Sequence, residues 1–272
     1  MVLNKFYVDD LIKDALKEDI NYVDVTTDYL IDEEKISVAK VVSKDEGILS
    51  GIDIFFRVFT LLDDEVKIKC DYKDGDKIQK GDVIATLNGK TRTLLKGERT
   101  ALNILQHLCG IATLTNRCVQ LTKGTNTAIV DTRKTLPLLR CLQKYAVTCG
   151  GGKNHRYNLS DGAMIKDNHI DAYGSITGAV NALREKAGHM IKIEVETRNL
   201  EEVKEALQCR ADVIMLDNMD TAMMSQAVKL VDGKAVLEAS GNITDQRIKE
   251  ICQCGVDIIS MGALTHSVKA FD

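Results

Sequence analysis

From residue 128 onward, short apolar runs alternate with stretches whose apolar residues recur every three to four positions. The runs are AIVDT, AMIK, IKIEVE, DVIMLDN, AVLEAS and DIISMG, with helices predicted between them over 136–148, 173–187, 199–208, 220–230 and 244–253. Short apolar runs bounded by turn residues read as buried strands. Strand, helix, strand repetition implies parallel pairing through right-handed crossovers. Six strands fall short of the eight of a complete barrel, so an incomplete or irregular β/α barrel is predicted.

The first third reads differently. Leu11, Ile12, Ala15, Leu16 and Ile20 recur at helical spacing, and VDVTTD follows as a turn-rich link. Residues 36–42 are β-prone, GILSG is a glycine-bounded turn, and IDIFFRVFTLL is a buried helix. VKIKCDY and VIATLNG are strands separated by turn residues at Asp74, Gly75, Asp76 and Gly81. A helix is predicted over 96–123, broken near Gly110, with a core face of Leu102, Leu105 and Leu108 joined by Ile104 and Ile111. The predicted fold class is thus α/β: an N-terminal mixed α+β domain with a connecting helix over 1–110, then a barrel-like domain over 111–272, with room for the chain end to pack back on the first domain. DGDKIQKGDVIATLNG resembles the hairpins of biotinyl and lipoyl carrier domains, but no lysine is framed at its tip, which argues against a swinging cofactor.

Polar residues fall at the ends of the apolar runs. Arg133 and Lys134 follow the first, Lys166 ends the second, Glu196 the third and Asp217 the fourth, while Ser240 and Gly241 follow the fifth and Gly262 the sixth. Any buried strand surfaces in a charge, so each case alone says little. Six in register are different, because β/α barrels carry their active sites at the C-terminal strand ends.

Charge sharpens this picture. Residues 131–170 hold seven Lys and Arg against three Asp, net +4, in a chain of net −4, leaving −8 for the remainder. Segregated positive charge invites an anion, and Gly150, Gly151 and Gly152 allow a close approach of backbone to ligand. The acidic balance and 4% aromatic content argue against a nucleic-acid surface. The eight Cys are scattered, without paired CxxC motifs, and read as reduced core residues. No apolar run approaches the ~20 residues of a membrane span, and the acidic amphipathic start is unlike a secretory signal, so a cytoplasmic protein is expected.

DTRKT, GGGKNHR and IKDNHI, in this order and spacing, resemble the quinolinate phosphoribosyltransferase family, the carboxylating nicotinate-nucleotide pyrophosphorylases. The resemblance extends from GERT at 97–100 through IEVE, LDN and ASGN to SMG. One departure is LPLLR at 136–140, where the family more often has a Thr-Pro-Gly turn; Arg140 stays in place.

The resemblance implies phosphoribosyl transfer from phosphoribosyl pyrophosphate to quinolinate with decarboxylation, giving nicotinate mononucleotide. It implies Lys134, Lys166, Glu196 and Asp217 as catalytic residues, with Glu196 and Asp217 also placed to hold Mg²⁺ directly or through water. Arg99, Thr132, Arg133, His155 and Arg156 would bind quinolinate and the reacting groups. Ser240, Gly241 and Asn242, with Ser260, Met261 and Gly262, would cradle the 5-phosphate. The residues suit this chemistry on their own terms, since arginine's planar fork grips carboxylates and phosphates and lysine adds a point charge. Arg99, placed near a helix N-terminus where cations are disfavoured, would reach the neighbouring subunit's site in a homodimer with shared active sites, or in a hexamer built from such dimers. His169 is read as support for Lys166; His107, His189 and His266 are read as surface or packing residues. Three rivals stand beside this reading: a relative acting on nicotinate without decarboxylation, a Schiff-base aldolase using Lys166, and a non-catalytic anion-binding or carrier protein.

Overall fold

The computed structural model describes residues 3–272, so the first two residues of the predicted 1–110 domain lie outside it. The chain divides into two compact units. One runs to Asn116 and takes in Leu136–Gly151 and Thr265–Asp272; the other comprises Arg117–Thr135 and Gly152–Leu264.

The first unit opens with α1 (Lys5–Asp19), capped by the Asn4 side chain and burying Val8, Ile12 and Leu16 at helical spacing. The expected turn-rich link is instead a short helix, α2 (Val25–Leu30), whose first turn is closed by the Asp24 carboxylate accepting the Thr27 N–H. Then come β1 (Ile36–Val42), β2 (Gly47–Ile48), α3 (Ile52–Leu62), β3 (Lys67–Cys70), β4 (Lys77–Ile78) and β5 (Val83–Lys90). Strands β1, β5 and β3 form an antiparallel sheet in that order, and β2 pairs with β4. Helix α3 buries Ile54, Phe55, Val58 and Phe59, and its Arg57 meets Asp9 of α1 at 2.7 Å. Asp9 is held below the usual carboxylate range chiefly by that hydrogen bond.

Helix α4 (Thr91–Leu121) carries the chain onward without the break expected at Gly110. A Cβ at Gly110 would collide with the Lys269 carbonyl oxygen, so this glycine admits the chain's end rather than interrupting the helix. Because α4 begins at Thr91, Arg99 lies two turns inside it, and the unfavourable helix-end position expected for it does not arise. Helix α5 (Arg140–Cys149) belongs to the first unit, burying Cys141, Leu142, Ala146 and Val147.

The second unit contains all six expected strands: β6 (Ala128–Val130), β7 (Ala163–Ile165), β8 (Ile193–Thr197), β9 (Val213–Asp217), β10 (Val236–Ser240) and β11 (Ile258–Ser260). They form one parallel sheet in the order β6-β11-β10-β9-β8-β7, which leaves β6 and β7 at opposite ends of the hydrogen-bonded array. Crossover helices are α6 (Asp167–Tyr173), α7 (Ile176–Lys186), α8 (Leu200–Gln208), α9 (Thr221–Val231) and α10 (Asp245–Cys254), and α11 (Ala263–His266) follows β11. The helix predicted over 173–187 is α7, which starts after Ser175, whose hydroxyl accepts the Gly178 N–H, and α6, closed by Gly174, is an additional helix before it. All eight cysteines are free thiols, five of them buried. Among the described residues no helix is long and apolar enough to cross a membrane.

Candidate active site

Successive side chains on a strand point to opposite faces of the sheet, so the parallel register sorts every residue of the second unit's strands onto one face or the other. Glu194 lies opposite Met164 and Val213, Glu196 opposite Met215, Met215 opposite Glu238, and Asp217 opposite Ser240. Glu238 lies opposite Ile258, and Ser260 opposite Val130. One face therefore carries Glu194, Glu196, Asp217, Glu238, Ser240 and Ser260. The other carries Ile129, Ile165, Ile193, Val195, Ile214, Leu216, Leu237, Ala239 and Ile259, all buried.

At the C-terminal ends the polar face opens into the expected residues. Lys166, one residue past β7, reaches across to β8, where its Nζ donates to Glu196 Oε2 at 3.0 Å. Its backbone is fixed by His169, whose Nδ1 accepts the Lys166 N–H at 3.0 Å. Asp217 Oδ2 accepts the Asn218 amide at 2.8 Å, and Asn218 Oδ1 accepts the Asn242 amide at 3.1 Å, tying the loops after β9 and β10 together. Gly241 and Asn242 are both left-handed, with φ of 95° and 48°. A Cβ on Gly241 would strike Asn218 Oδ1, so glycine is required there twice over. After β11, the Met261 N–H is committed to the Val130 carbonyl at 3.0 Å, and Ser260 Oγ is buried with no protein partner.

The loop after β6 makes a tight turn in which Thr132 Oγ1 accepts the Lys134 N–H at 3.0 Å, leaving the Arg133 and Lys134 side chains exposed. Beside β6 the segment around Lys153 continues as a parallel bridge, Val130 to Lys153. This brings Lys153, Asn154 and His155 beside Val130 and Asp131. Asp131, fully buried, accepts the His155 N–H at 2.9 Å and the Asn154 amide at 2.6 Å. Arg156 donates from Nη1 to the Gly162 carbonyl at 2.9 Å, and its pKa is lowered by burial and then by the nearby Arg133. Two guanidiniums close enough to disfavour each other's charge would be relieved by an anion between them.

His155 is engaged at both ring nitrogens. Nε2 lies 3.1 Å from Glu194 Oε2 and 3.4 Å from Glu238 Oε2, while Nδ1 accepts the Arg156 N–H at 2.7 Å. Burial opposes a charge on the ring and the two carboxylates favour one, which raises its pKa. An imidazolium has no lone pair to accept the Arg156 N–H, so in this arrangement the ring is the neutral tautomer with its proton on Nε2. Glu194, whose pKa burial raises, and Glu238 have no place among the residues read from the sequence. Both stand inside apolar runs, where a carboxylate between buried neighbours is itself a signal. Arg99 is exposed on α4 of the first unit, and His107 packs there against Gln143 at 2.8 Å; His189 and His266 are exposed.

The arrangement is a candidate site at the C-terminal edge of a parallel sheet, where Arg133, Arg156 and Lys166 in the loops lie beside the carboxylates of the polar face. The family description "Quinolinate phosphoribosyl transferase, C-terminal domain" matches residues 111–272, and "Quinolinate phosphoribosyl transferase, N-terminal domain" matches 24–109. The chain is 45% identical over 270 residues to the probable nicotinate-nucleotide pyrophosphorylase [carboxylating] of Bacillus subtilis, covering 99% of this chain and 93% of that protein. It is 43% identical over 279 residues to the protein of the same name from Methanocaldococcus jannaschii, covering 98% and 96%. The crystal structure of NadC from Streptococcus pyogenes superposes with a TM-score of 0.97 at 42% identity, covering all of this chain and 96% of that one. The chain belongs to the quinolinate phosphoribosyl transferase family.

Proposed function

We infer that this chain transfers the phosphoribosyl group of phosphoribosyl pyrophosphate to quinolinate with loss of carbon dioxide, giving nicotinate mononucleotide and pyrophosphate in NAD biosynthesis. The observation that carries the reading is the joining of the Arg133 and Arg156 pair with Lys166, Glu196 and Asp217 at one sheet edge, in a chain that matches the family along nearly its whole length.

The pyridine nitrogen attacks the anomeric carbon as the bond to pyrophosphate breaks, and the resulting pyridinium accepts the electron pair released when the 2-carboxylate leaves. Arg133 and Arg156 hold the two carboxylates of quinolinate by bidentate hydrogen bonds, with His155 and Thr132 beside them. Lys134 and Lys166 face the pyrophosphate, Lys166 being oriented by Glu196. Glu196 and Asp217 hold ribose hydroxyls, and their charge stabilises the oxocarbenium-like transition state. The loops 240–242 and 260–262 receive the 5-phosphate, with the buried Ser260 hydroxyl a donor awaiting such a group. Glu196 and Asp217 also suit Mg²⁺, since they offer carboxylate oxygens on one face of adjacent strands. Bound there, the ion would supply neutralisation of the leaving pyrophosphate.

We further propose a homodimer, with Arg99 contributed to the partner subunit's site, and leave open its assembly into a hexamer. Mixing Arg99→Ala with Glu196→Ala protein restores part of the activity if sites are shared, and no recovery after verified subunit exchange removes that part of the proposal.

The test of the reaction supplies Mg²⁺, phosphoribosyl pyrophosphate and carboxyl-labelled quinolinate, and follows labelled carbon dioxide together with nicotinate mononucleotide. Both products are expected from quinolinate and none from nicotinate. Turnover of nicotinate alone overturns the substrate, and silence with both overturns the reaction.

A further inference from the structure

Glu238 is 1% exposed and Glu194 6%, and in each the Oε1 atom has no hydrogen-bond partner. Two carboxylates buried on adjacent levels of one sheet face are costly, and a fold keeps such a pair only where it is tied to something. Here both are tied to a single atom, His155 Nε2. The ring is held at two points, Nε2 by the glutamates and Nδ1 by the Arg156 N–H, and the His155 backbone at a third, its N–H donating to Asp131. Rotation of the ring would release the Arg156 amide, and with it the backbone from which the Arg156 guanidinium extends.

The donors also have the types and spacing of a divalent metal site, His155, Glu194 and Glu238 placing their ligand atoms within 4.8 Å of one another. A metal requires a bare Nε2, which in a neutral imidazole puts the proton on Nδ1. The Arg156 N–H pointing into Nδ1 forbids that tautomer, so the hydrogen-bonded arrangement is favoured over a metal centre.

We propose that Glu194 and Glu238 are positioning residues for the quinolinate site: they lock the His155 ring and, through its other nitrogen, the Arg156 backbone, so that Arg156 and Arg133 meet the two carboxylates of the substrate together. Neither glutamate touches the substrate. The inference rests on the reading of Arg133 and Arg156 as the carboxylate-binding pair. It adds a specificity device, because a ring with one carboxylate gains less from having both guanidiniums fixed.

The experiment compares Glu194→Met, which removes the acceptor at similar volume, with Glu194→Gln, which keeps one, in the full-length protein. Glu194→Met is expected to raise KM for quinolinate about tenfold or more, the loss of one hydrogen bond to a buried, charge-bearing group, while KM for phosphoribosyl pyrophosphate and kcat stay within about threefold. Glu194→Gln returns KM for quinolinate to within about threefold of wild type. An unchanged KM in the Met variant overturns the proposal, as does an equal loss in all three constants, which marks a structural role only. If Glu194→Met does not fold, the same comparison is made with Glu238→Met and Glu238→Gln. Failure of both Met variants to fold, with both Gln variants normal in every constant, assigns the pair to stability and overturns it too. Arg133→Ala and Arg156→Ala separate the two levels: if they leave KM for quinolinate unchanged, the carboxylate-site reading fails, and if they raise it while Glu194→Met does not, only this inference fails. Stoichiometric zinc retained by wild-type protein through dialysis and lost in Glu194→Met would replace the hydrogen-bonded lock with a metal centre.

Discussion

The two faces of the six-stranded sheet are built from the same strands by the same alternation, and they do opposite work. On one, Val195, Ile214, Leu237, Ala239 and Ile259 are fully or almost fully buried aliphatics. On the other, at intervening positions of the same strands, stand Glu194, Glu196, Asp217, Glu238 and Ser240. A period of two lets a five-residue strand serve as both core and wall of the candidate site. The cost of the polar face is met by pairing, as Lys166 with Glu196 and His155 with two glutamates show.

If the faces are separable, mutations on one should move rate and on the other stability. The largest effect is expected for Lys166→Ala, with kcat/KM falling about a thousandfold while the thermal midpoint barely moves, since a half-exposed ion pair contributes at most about 1 kcal/mol. Steady-state kinetics and a melting curve on one preparation decide it, and a large drop in midpoint would merge the two faces. Ile214→Ala is the mirror case. It should cost about 2–4 kcal/mol in urea unfolding, through lost burial and a cavity, and leave kcat/KM per folded molecule unchanged. Gly241→Ala sharpens the comparison at the loop ends: with φ at 95° and Asn218 in the way, the loop must shift, and KM for phosphoribosyl pyrophosphate should rise about tenfold, from about 1–2 kcal/mol of backbone strain. The smallest effect lies outside both faces. Leu138 holds φ at 65° while 81% exposed, and Leu138→Gly should stabilise the protein by about 0.5–1 kcal/mol, the left-handed penalty less the added chain entropy. A destabilised variant would mean that Leu138 is held by more than the hydrogen bond its carbonyl accepts from Tyr7.

Leu138 also shows how far the sequence could be read. LPLLR departs from Thr-Pro-Gly, and the backbone nonetheless takes a glycine-like conformation at Leu138, so the loop follows its surroundings rather than its own residue preference. The six strands and the residues at their ends were legible because apolar runs of strand length carry the signal directly. Helix α6 was not, since it buries none of its residues and so has no apolar stripe to betray it. Gly110 misled for a different reason: a glycine that breaks a helix and one that admits another segment look alike in sequence, and only the Lys269 carbonyl distinguishes them. The cap at Asp24 was visible in principle, since an Asp closing onto the third residue after it is a helix-start pattern. Glu194 and Glu238 stand inside β8 and β10 rather than at their ends, and their partner His155 lies far off in sequence, so nothing local pairs them with it.

The central claim is that the substrate's two carboxylates meet Arg133 and Arg156 at the C-terminal edge of the polar face. A crystal structure of the protein with quinolinate tests it most directly. The account predicts one carboxylate within hydrogen-bonding distance of each guanidinium, with the ring nitrogen turned toward the side of Glu196 and Asp217. Quinolinate bound elsewhere, or touching neither arginine, would contradict it.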